Sequence, residues 1–529
     1  MDPYSRTPKL QNGIGRYEEY GALLLYFHEG EMPQLYRNSA LSTRFMTKRS
    51  RYSLLFVLGS FVLMFGCSGV STAPQAPPAT YPVVAISDIH FNPFDDPTLY
   101  PGLAAAPASQ WKSIFQSAQS LSKKAPSTWK SDTNYPALVL ALAGVRQNLG
   151  ASPVVLFAGD MLGHNMPLNF CLAYSNLPPA TTCGPLDATG TAAMQQFIDK
   201  TVAFVSMQIR AAVGNVPVIF VPGNIDTYSA YGTGPDTTFL SDNANTFYTQ
   251  LLNGSVDQAS FQSTFTTIGS YSAQLLGSNL RIIAFDSNPL AQSPYLPPLD
   301  PYTELTWLDS QLAAAQSAGQ KVWLIMHVPP GANTTATAQN AAKGVAPNPA
   351  EDDEAAMMWE PQYQIEFMQI LSRYPGLIAM GITGHTHMDE FRVLPTGDVM
   401  FGIPGISPCF GNNPAFKIFT LSQDKQMPMD YQSINYNLAV SPPSAQFNGL
   451  YTFSTAYGAT ANTTLESSLQ QLYPQLTPTA PGTATFLDYY VSSSATFPWN
   501  MANTGNWPLY GCGFSQMDEQ DYVDCVNSY

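Results

Sequence analysis

Five of the six histidines in this 529-residue chain sit in short motifs with aspartate, asparagine or glycine. His90 lies in Ser87-Asp88-Ile89-His90, and His164 stands four residues after Gly159-Asp160. His327 opens His327-Val-Pro-Pro-Gly331, Asn224 follows Gly223, and Gly384-His385-Thr386-His387 holds the last two. Imidazole nitrogens and carboxylate or amide oxygens hold divalent cations, and imidazole also moves protons near neutral pH. A chain this poor in histidine has little reason to cluster them for anything else. Together with Asp88, Asp160 and Asn224 they make up the donor set that a two-metal hydrolytic centre requires.

Such donors act only if distant stretches of chain bring them together. Apolar runs predict strands at 82–87, 153–158, 217–222, 279–285, 321–326 and 377–382, and periodicity predicts helices at 135–148, 190–213, 303–317 and 361–373. Short, wholly apolar strands alternating with helices imply sheets covered on both faces. Asp88, Asp160, Asn224, His327 and His385 each follow one of these strands, at the carboxyl edge where α/β sheets bind ligands. Runs at 390–394, 398–402 and 416–421 read as a terminal antiparallel set. From about residue 431 the chain becomes rich in Tyr, Pro, Ser and Thr, with one clear helix near 463–473. The expected organisation is an upstream extension and signal over 1–67, a Pro-rich linker over 68–81, a catalytic domain over 82–430 and a C-terminal subdomain over 431–529.

Charged residues make up 11% of the chain, against about 25% in typical soluble proteins. The net charge is -15, and eight of the 22 Lys and Arg precede residue 54, leaving 14 basic against 32 acidic residues from Cys67 onward. No basic track exists for a nucleic-acid partner. Residues 46–67 carry Lys48-Arg49-Ser50-Arg51, a 13-residue apolar run from Leu54 to Gly66, and then Cys67. The run is too short for a bilayer span of about 20 residues and fits a signal peptide. Leu63-Met64-Phe65-Gly66-Cys67 resembles a lipobox, which would make Cys67 a lipid-anchored N-terminus and the protein a periplasmic or outer-surface lipoprotein. Ordinary cleavage near Gly69 or Ala73, or an uncleaved anchor, are the alternatives. Met46 is a candidate start, and His28 lies upstream of it. In an exported chain Cys171 pairs with Cys183 and Cys512 with Cys525, leaving Cys409.

The motif order Asp-x-His, Gly-Asp, Gly-Asn, His, Gly-His-x-His resembles the calcineurin-like metallophosphoesterases. More narrowly, Gly159-Asp160-Met-Leu-Gly-His164, His327-Val-Pro-Pro-Gly331 and Gly384-His385-Thr-His387-Met-Asp389-Glu390-Phe391 look like the acid sphingomyelinase branch. The resemblance implies a four-layer αββα sandwich of two mixed sheets with a small C-terminal cap. It implies one metal on Asp88, His90, Asp160 and His387, a second on Asp160, Asn224, His327 and His385, and Asp160 as the bridge. Zinc suits these donors, as do manganese and iron. It further implies hydrolysis by metal-activated hydroxide with His164 as the general acid. One position departs from the pattern: Ile225 stands where the family has histidine after Gly-Asn, so a histidine restored there is expected to put a polar group beside the phosphate.

The expected function is an exported binuclear-metal phosphodiesterase of sphingomyelinase-like type, acting on a diester such as a phospholipid head group. A nucleotide or polyphosphate hydrolase on the same site, and a metal-binding but catalytically weak surface lipoprotein, are the other readings. Asp226 reads as a turn or supporting acid. Asp389 and Glu390 read either as partners that orient ligand histidines or as a solvated pair, and Glu351-Asp-Asp-Glu354 as a solvated loop.

Overall fold

The computed structural model describes residues 79–118, 125–179, 181–232, 236–277, 279–292, 302–342, 357–440, 446–460, 463–495 and 504–529. Cys67, the apolar signal run, most of the linker, His28 and the acidic stretch 351–354 lie outside the described residues.

Among those residues twelve strands form two six-stranded sheets. In the first, β1 (Thr80–Ile86), β2 (Val155–Phe157) and β3 (Val218–Phe220) run parallel. On the other edge of β1, β10 (Ala415–Ser422), β11 (Pro428–Asn435) and β12 (Asn448–Thr452) continue the sheet antiparallel. In the second, β5 (Leu280–Ala284), β6 (Lys321–Ile325), β7 (Ile378–Thr383) and β9 (Val399–Gly402) run parallel. Antiparallel β4 (Tyr271–Ala273) and β8 (Phe391–Val393) close its edges.

Side-chain alternation shows how the layers stack. Ile282, Trp323 and Ile325 join a core shared with Val83, Phe157 and Phe416 of the first sheet. Their neighbours Ile283, Val322 and Leu324 turn the other way and pack with Leu305, Leu308, Phe367 and Ile370. Those four belong to the helices Tyr302–Ser317 and Pro361–Ser372. The helices Tyr135–Asn148 and Ala188–Val213 supply Leu138, Val145, Phe204 and Ile209 to the shared core. Both start on a side-chain cap: Asn134 accepts from Ala137 N–H at 3.1 Å and Asp187 from Gly190 N–H at 2.7 Å. The α/β sandwich of two mixed sheets is the architecture the sequence implied.

Two placements differ from the sequence reading. The three late strands are not one antiparallel set: β8 and β9 close the second sheet, while β10 crosses to the first and pairs with β1. Alternation marks a strand but carries no address for its partner. The crossing segment, residues 403–414, runs between the sheets' carboxyl edges and becomes important below. Beyond it, β11 runs through residue 430 and β12 stays in the same sheet. The later helices Pro481–Tyr490 and Trp507–Gly513 close on β8, where Val393 N–H donates to Phe514 C=O at 2.7 Å and the Phe391 and Phe514 rings stack at 4.7 Å. The pairs Cys171–Cys183 and Cys512–Cys525 are bonded, and Cys409 is free. Among the described residues no helix is long and apolar enough to cross a membrane.

Candidate metal centre

The strand-end residues meet in one place. Asp88, His90, Asp160, His327 and His387 are each at most 2% exposed, and Asn224 is 4% exposed. Their loops turn sharply because the backbone there is left-handed: φ is 51° at Asp88, 44° at His90, 56° at Asp160, 70° at His385 and 61° at His387. Each such residue costs about 1–3 kcal/mol unless its surroundings impose it, and such outliers gather at functional sites. Here the imposing contacts are backbone hydrogen bonds from Asp88 N–H to Gly159 C=O at 2.9 Å and from His90 N–H to Asp160 C=O at 3.0 Å. Asp88 Oδ1 accepts from His385 N–H at 3.1 Å, tying the first loop to the last. Glycine beside the donors leaves them room. A Cβ on Gly223 would strike Asp160 Oδ1, and one on Gly405 would strike the His387 ring.

Tautomers follow from partners that can only accept. Nδ1 of His90 faces Leu162 C=O at 3.1 Å, Nδ1 of His327 faces Ala158 C=O at 2.6 Å, and Nδ1 of His387 faces Ser407 C=O at 3.2 Å. Each Nδ1 therefore carries a proton, and each Nε2 faces inward, able to take a metal or a second proton. His90 Nε2 and His387 Nε2 then lie 3.0 Å apart, with Asp88 Oδ1 3.5 Å from the latter. His327 Nε2 lies 3.1 Å from Asp160 Oδ2 and 2.8 Å from Asn224 Oδ1, which also sits 2.8 Å from His385 Nδ1. Lone pairs facing lone pairs at these distances repel unless a proton or a metal cation stands among them, and this mixed imidazole, carboxylate and amide donor set suits divalent metal. Asp160 Oδ2 is 3.3 Å from His90 Nε2 as well as 3.1 Å from His327 Nε2, placing it between the two groups.

Burial and charge set the ionisation. Burial drives His385 down to about 3, helped by His327, and His387 down to about 4. His327 feels the same burial, but Asp160 beside it prevails and lifts it to about 9. Burial pushes the Asp160 carboxyl upward, yet His327 and His90 outweigh it and hold the group well below the usual carboxylate range.

His164 stands apart. Its side chain is 23% exposed, its ring stacks on His90 with centroids 4.2 Å apart, and its Nδ1 lies 2.8 Å from Asp132 Oδ1. The other oxygen of Asp132 accepts from His164 N–H at 2.7 Å. Burial raises the Asp132 carboxyl, but His164 overcomes this and keeps it below its ordinary value. His90, Asp132 and His164 lie close enough to suggest a third metal group. The rings are stacked within 9° of parallel, however, so their in-plane lone pairs run side by side and do not converge on one ion. Asp132 escaped the sequence reading; only its place just before the capping Asn134 set it apart.

Ile225 does not sit where its motif position suggested. Its backbone N–H donates to Asp160 Oδ1 at 2.9 Å, but its side chain is 4% exposed and lies in the main core. A histidine there would be buried among apolar neighbours. Asp226 supports the loops: Oδ1 accepts from Met161 and Leu162 N–H, Oδ2 from Gly223 N–H, and burial followed by Asp160 raises it to about 6. Asp389 and Glu390 are buried and form no hydrogen bond or ion pair with a histidine ring among the described contacts. Asp389 pairs with Lys417 at 2.8 Å, and Glu390 accepts from Arg392 at 3.1 Å and Thr386 at 3.3 Å. Arg392 also donates to Pro330 C=O, so this network fastens the His327 loop to the His385–His387 loop through the backbone.

Residues 81–389 match the calcineurin-like phosphoesterase family. Among curated proteins, the chain is 28% identical over 254 residues to sphingomyelinase phosphodiesterase C of Dictyostelium discoideum, covering 44% of this chain and 51% of that one. It is 27% identical over 284 residues to cyclic GMP-AMP phosphodiesterase SMPDL3A of Rattus norvegicus, covering 49% and 58%. The chain thus spans about half the length of the curated relatives it matches. A dimetal phosphatase structure from Danio rerio aligns with a TM-score of 0.36 at 13% identity, over 67% of this chain and 95% of that one.

Proposed function

Because the chain belongs to the calcineurin-like phosphoesterase family, we propose that its centre holds two divalent cations and hydrolyses phosphodiesters, in the manner of a sphingomyelinase-like phosphodiesterase. Asp88, His90, Asp160 and His387 would hold the first ion and Asp160, Asn224, His327 and His385 the second, with Asp160 shared between them. The observation that carries this reading is the inward convergence of three carbonyl-locked imidazoles on buried carboxylates. Zinc is the ion proposed, on the mixed imidazole and carboxylate donors.

When bound, the two cations supply Lewis acidity toward water and the phosphoryl oxygens. The chain's own residues do the rest. Water oxygen bonds to phosphorus as the ester P–O bond breaks; the leaving oxygen takes the Nε2 proton of a His164 ring protonated on both nitrogens, and the proton shed by the water restores that ring. Asp132 holds the Nδ1–H edge of that ring, which commits Nε2 to the substrate side. The products are a phosphomonoester and an alcohol. With Ile225 turned into the core, the acid role rests on His164 alone.

The two relatives named above are both diesterases by name, one for a sphingolipid and one for a cyclic dinucleotide. The acidic chain, at -15, favours a zwitterionic head group over a polyanion. Two disulfides fit an oxidising compartment, in line with export by the signal run and anchoring through Cys67. A substrate panel tests the function: bis(4-nitrophenyl) phosphate, 4-nitrophenyl phosphate, sphingomyelin, a cyclic dinucleotide and tripolyphosphate, each with measured metal content. Diester turnover well above monoester and polyphosphate turnover is expected. The opposite ranking, or no turnover with both ions bound, contradicts the proposal.

A further inference from the structure

Phe410 is an exposed aromatic on the segment that crosses between the sheets, with 38% of its surface open. Its ring lies edge-to-face against His387, centroids 4.6 Å apart at 88°, and against His164, 5.9 Å apart at 89°. It therefore stands beside both the proposed proton donor and one of the proposed metal-holding histidines, on the solvent side. Nothing in the mechanism above uses it.

The turn that presents this ring is strapped from several directions. Gly411, at φ 85°, donates its N–H to Pro408 C=O at 3.0 Å, and Lys130 N–H donates to the same carbonyl at 3.0 Å. Ser494 Oγ donates to Gly411 C=O at 2.6 Å. Asn412 Nδ2 donates to Ser407 C=O at 3.0 Å, and Asn413 Nδ2 donates to Ser493 C=O at 3.0 Å. A phenyl ring on a rigid turn does not fold away from water, so it is available to whatever enters the site.

We propose that Phe410 is the platform for the leaving alcohol, and that the site selects diesters whose leaving group presents an apolar or aromatic carbon surface close to the ester oxygen. The inference rests on the phosphodiesterase reading and on His164 as the proton donor. An oxygen that takes its proton from His164 must carry its carbon skeleton past that ring, and Phe410 adjoins it. A phenyl ring offers no hydrogen bond and turns a negative face to its guest, so it disfavours an anionic phosphate leaving group and favours hydrocarbon or a flat ring. A lipid alcohol and a nucleoside both meet that requirement.

The test is equilibrium binding by titration calorimetry to the metal-loaded full chain, with dimethyl phosphate, methyl phenyl phosphate and methyl octyl phosphate, at low temperature and with phosphorus NMR showing each ester intact at the end of its titration. Turnover of bis(4-nitrophenyl) phosphate is measured separately, so loss of the phosphodiesterase reading is scored on its own. The wild type is expected to bind the phenyl or the octyl ester about three- to tenfold more tightly than dimethyl phosphate, the range of an aromatic contact. Phe410→Ala is expected to erase that preference while leaving dimethyl phosphate binding and metal content unchanged, and Phe410→Tyr to keep it. A phenyl preference marks a flat, nucleoside-like group, and an octyl preference a lipid-like one. No preference in the wild type, or an equal loss for all three esters in Phe410→Ala, overturns the proposal.

Discussion

The two halves of the centre are built differently. The half around Asp88, His90 and His387 borders solvent: the partly exposed His164 stacks on His90, with Asp132 behind it and Phe410 beside it. The half around Asn224, His327 and His385 is backed by apolar core, with Ile225 packed inward and Asp226 tied to three backbone N–H groups. His385 is partly exposed in the second half, but among the described residues only the first half has a partly exposed imidazole outside the donor set with a carboxylate, Asp132, behind it. The second half holds and orients. On the proposed mechanism the leaving group departs on the side of His164.

The largest break of that comparison is His164→Ala. Metal content should stay, while diesters with poor leaving groups slow by about 10²–10⁴-fold, the usual span of general acid catalysis. Nitrophenyl esters, whose leaving group needs little protonation, should suffer far less. Equal losses on both classes would place the acid elsewhere.

Asp132→Asn tests the same half more gently. It should slow poor leaving groups by about 10–100-fold, the range for a residue that orients a working imidazole, with the same dependence on the leaving group. Nitrogen NMR of the His164 ring should lose the Nδ1–H signal held by the Asp132 hydrogen bond. A uniform loss across substrates with an unchanged tautomer would reduce Asp132 to a structural role.

Ile225→His probes the second half, and the expected effect is on stability. Burying an imidazole in apolar packing should cost about 1–3 kcal/mol, read as a lower denaturant midpoint, with no gain in diester turnover. A rise in turnover would mean that the side chain reaches the substrate and that the two halves are less different than drawn.

Much of this was legible in the chain. Short apolar strands fixed where Asp88, Asp160, Asn224, His327 and His385 would emerge, because a strand end in an α/β sheet is also a binding edge. What stayed hidden depended on contacts between residues far apart in sequence. Asp132 reaches His164 across 32 residues, and no spacing rule announces that pair. Asp389 looked as ready for solvent as for a ligand until Lys417 came to lie 2.8 Å away in a buried pocket. Motif position marked Ile225 as a departure, but its burial and the turn that Asp226 closes on Gly223 N–H appear only in the fold. The left-handed backbone at His385 and His387 is likewise imposed by packing, since neither residue type demands it.

The account stands or falls on Asp160, whose Oδ2 lies between His90 Nε2 at 3.3 Å and His327 Nε2 at 3.1 Å. The decisive measurement is the metal content of the purified protein and of Asp160→Asn by elemental analysis after exhaustive dialysis. Two equivalents in the wild type, and less than one in the variant together with loss of diester hydrolysis, are predicted. Two equivalents retained by Asp160→Asn would contradict the bridged two-ion centre.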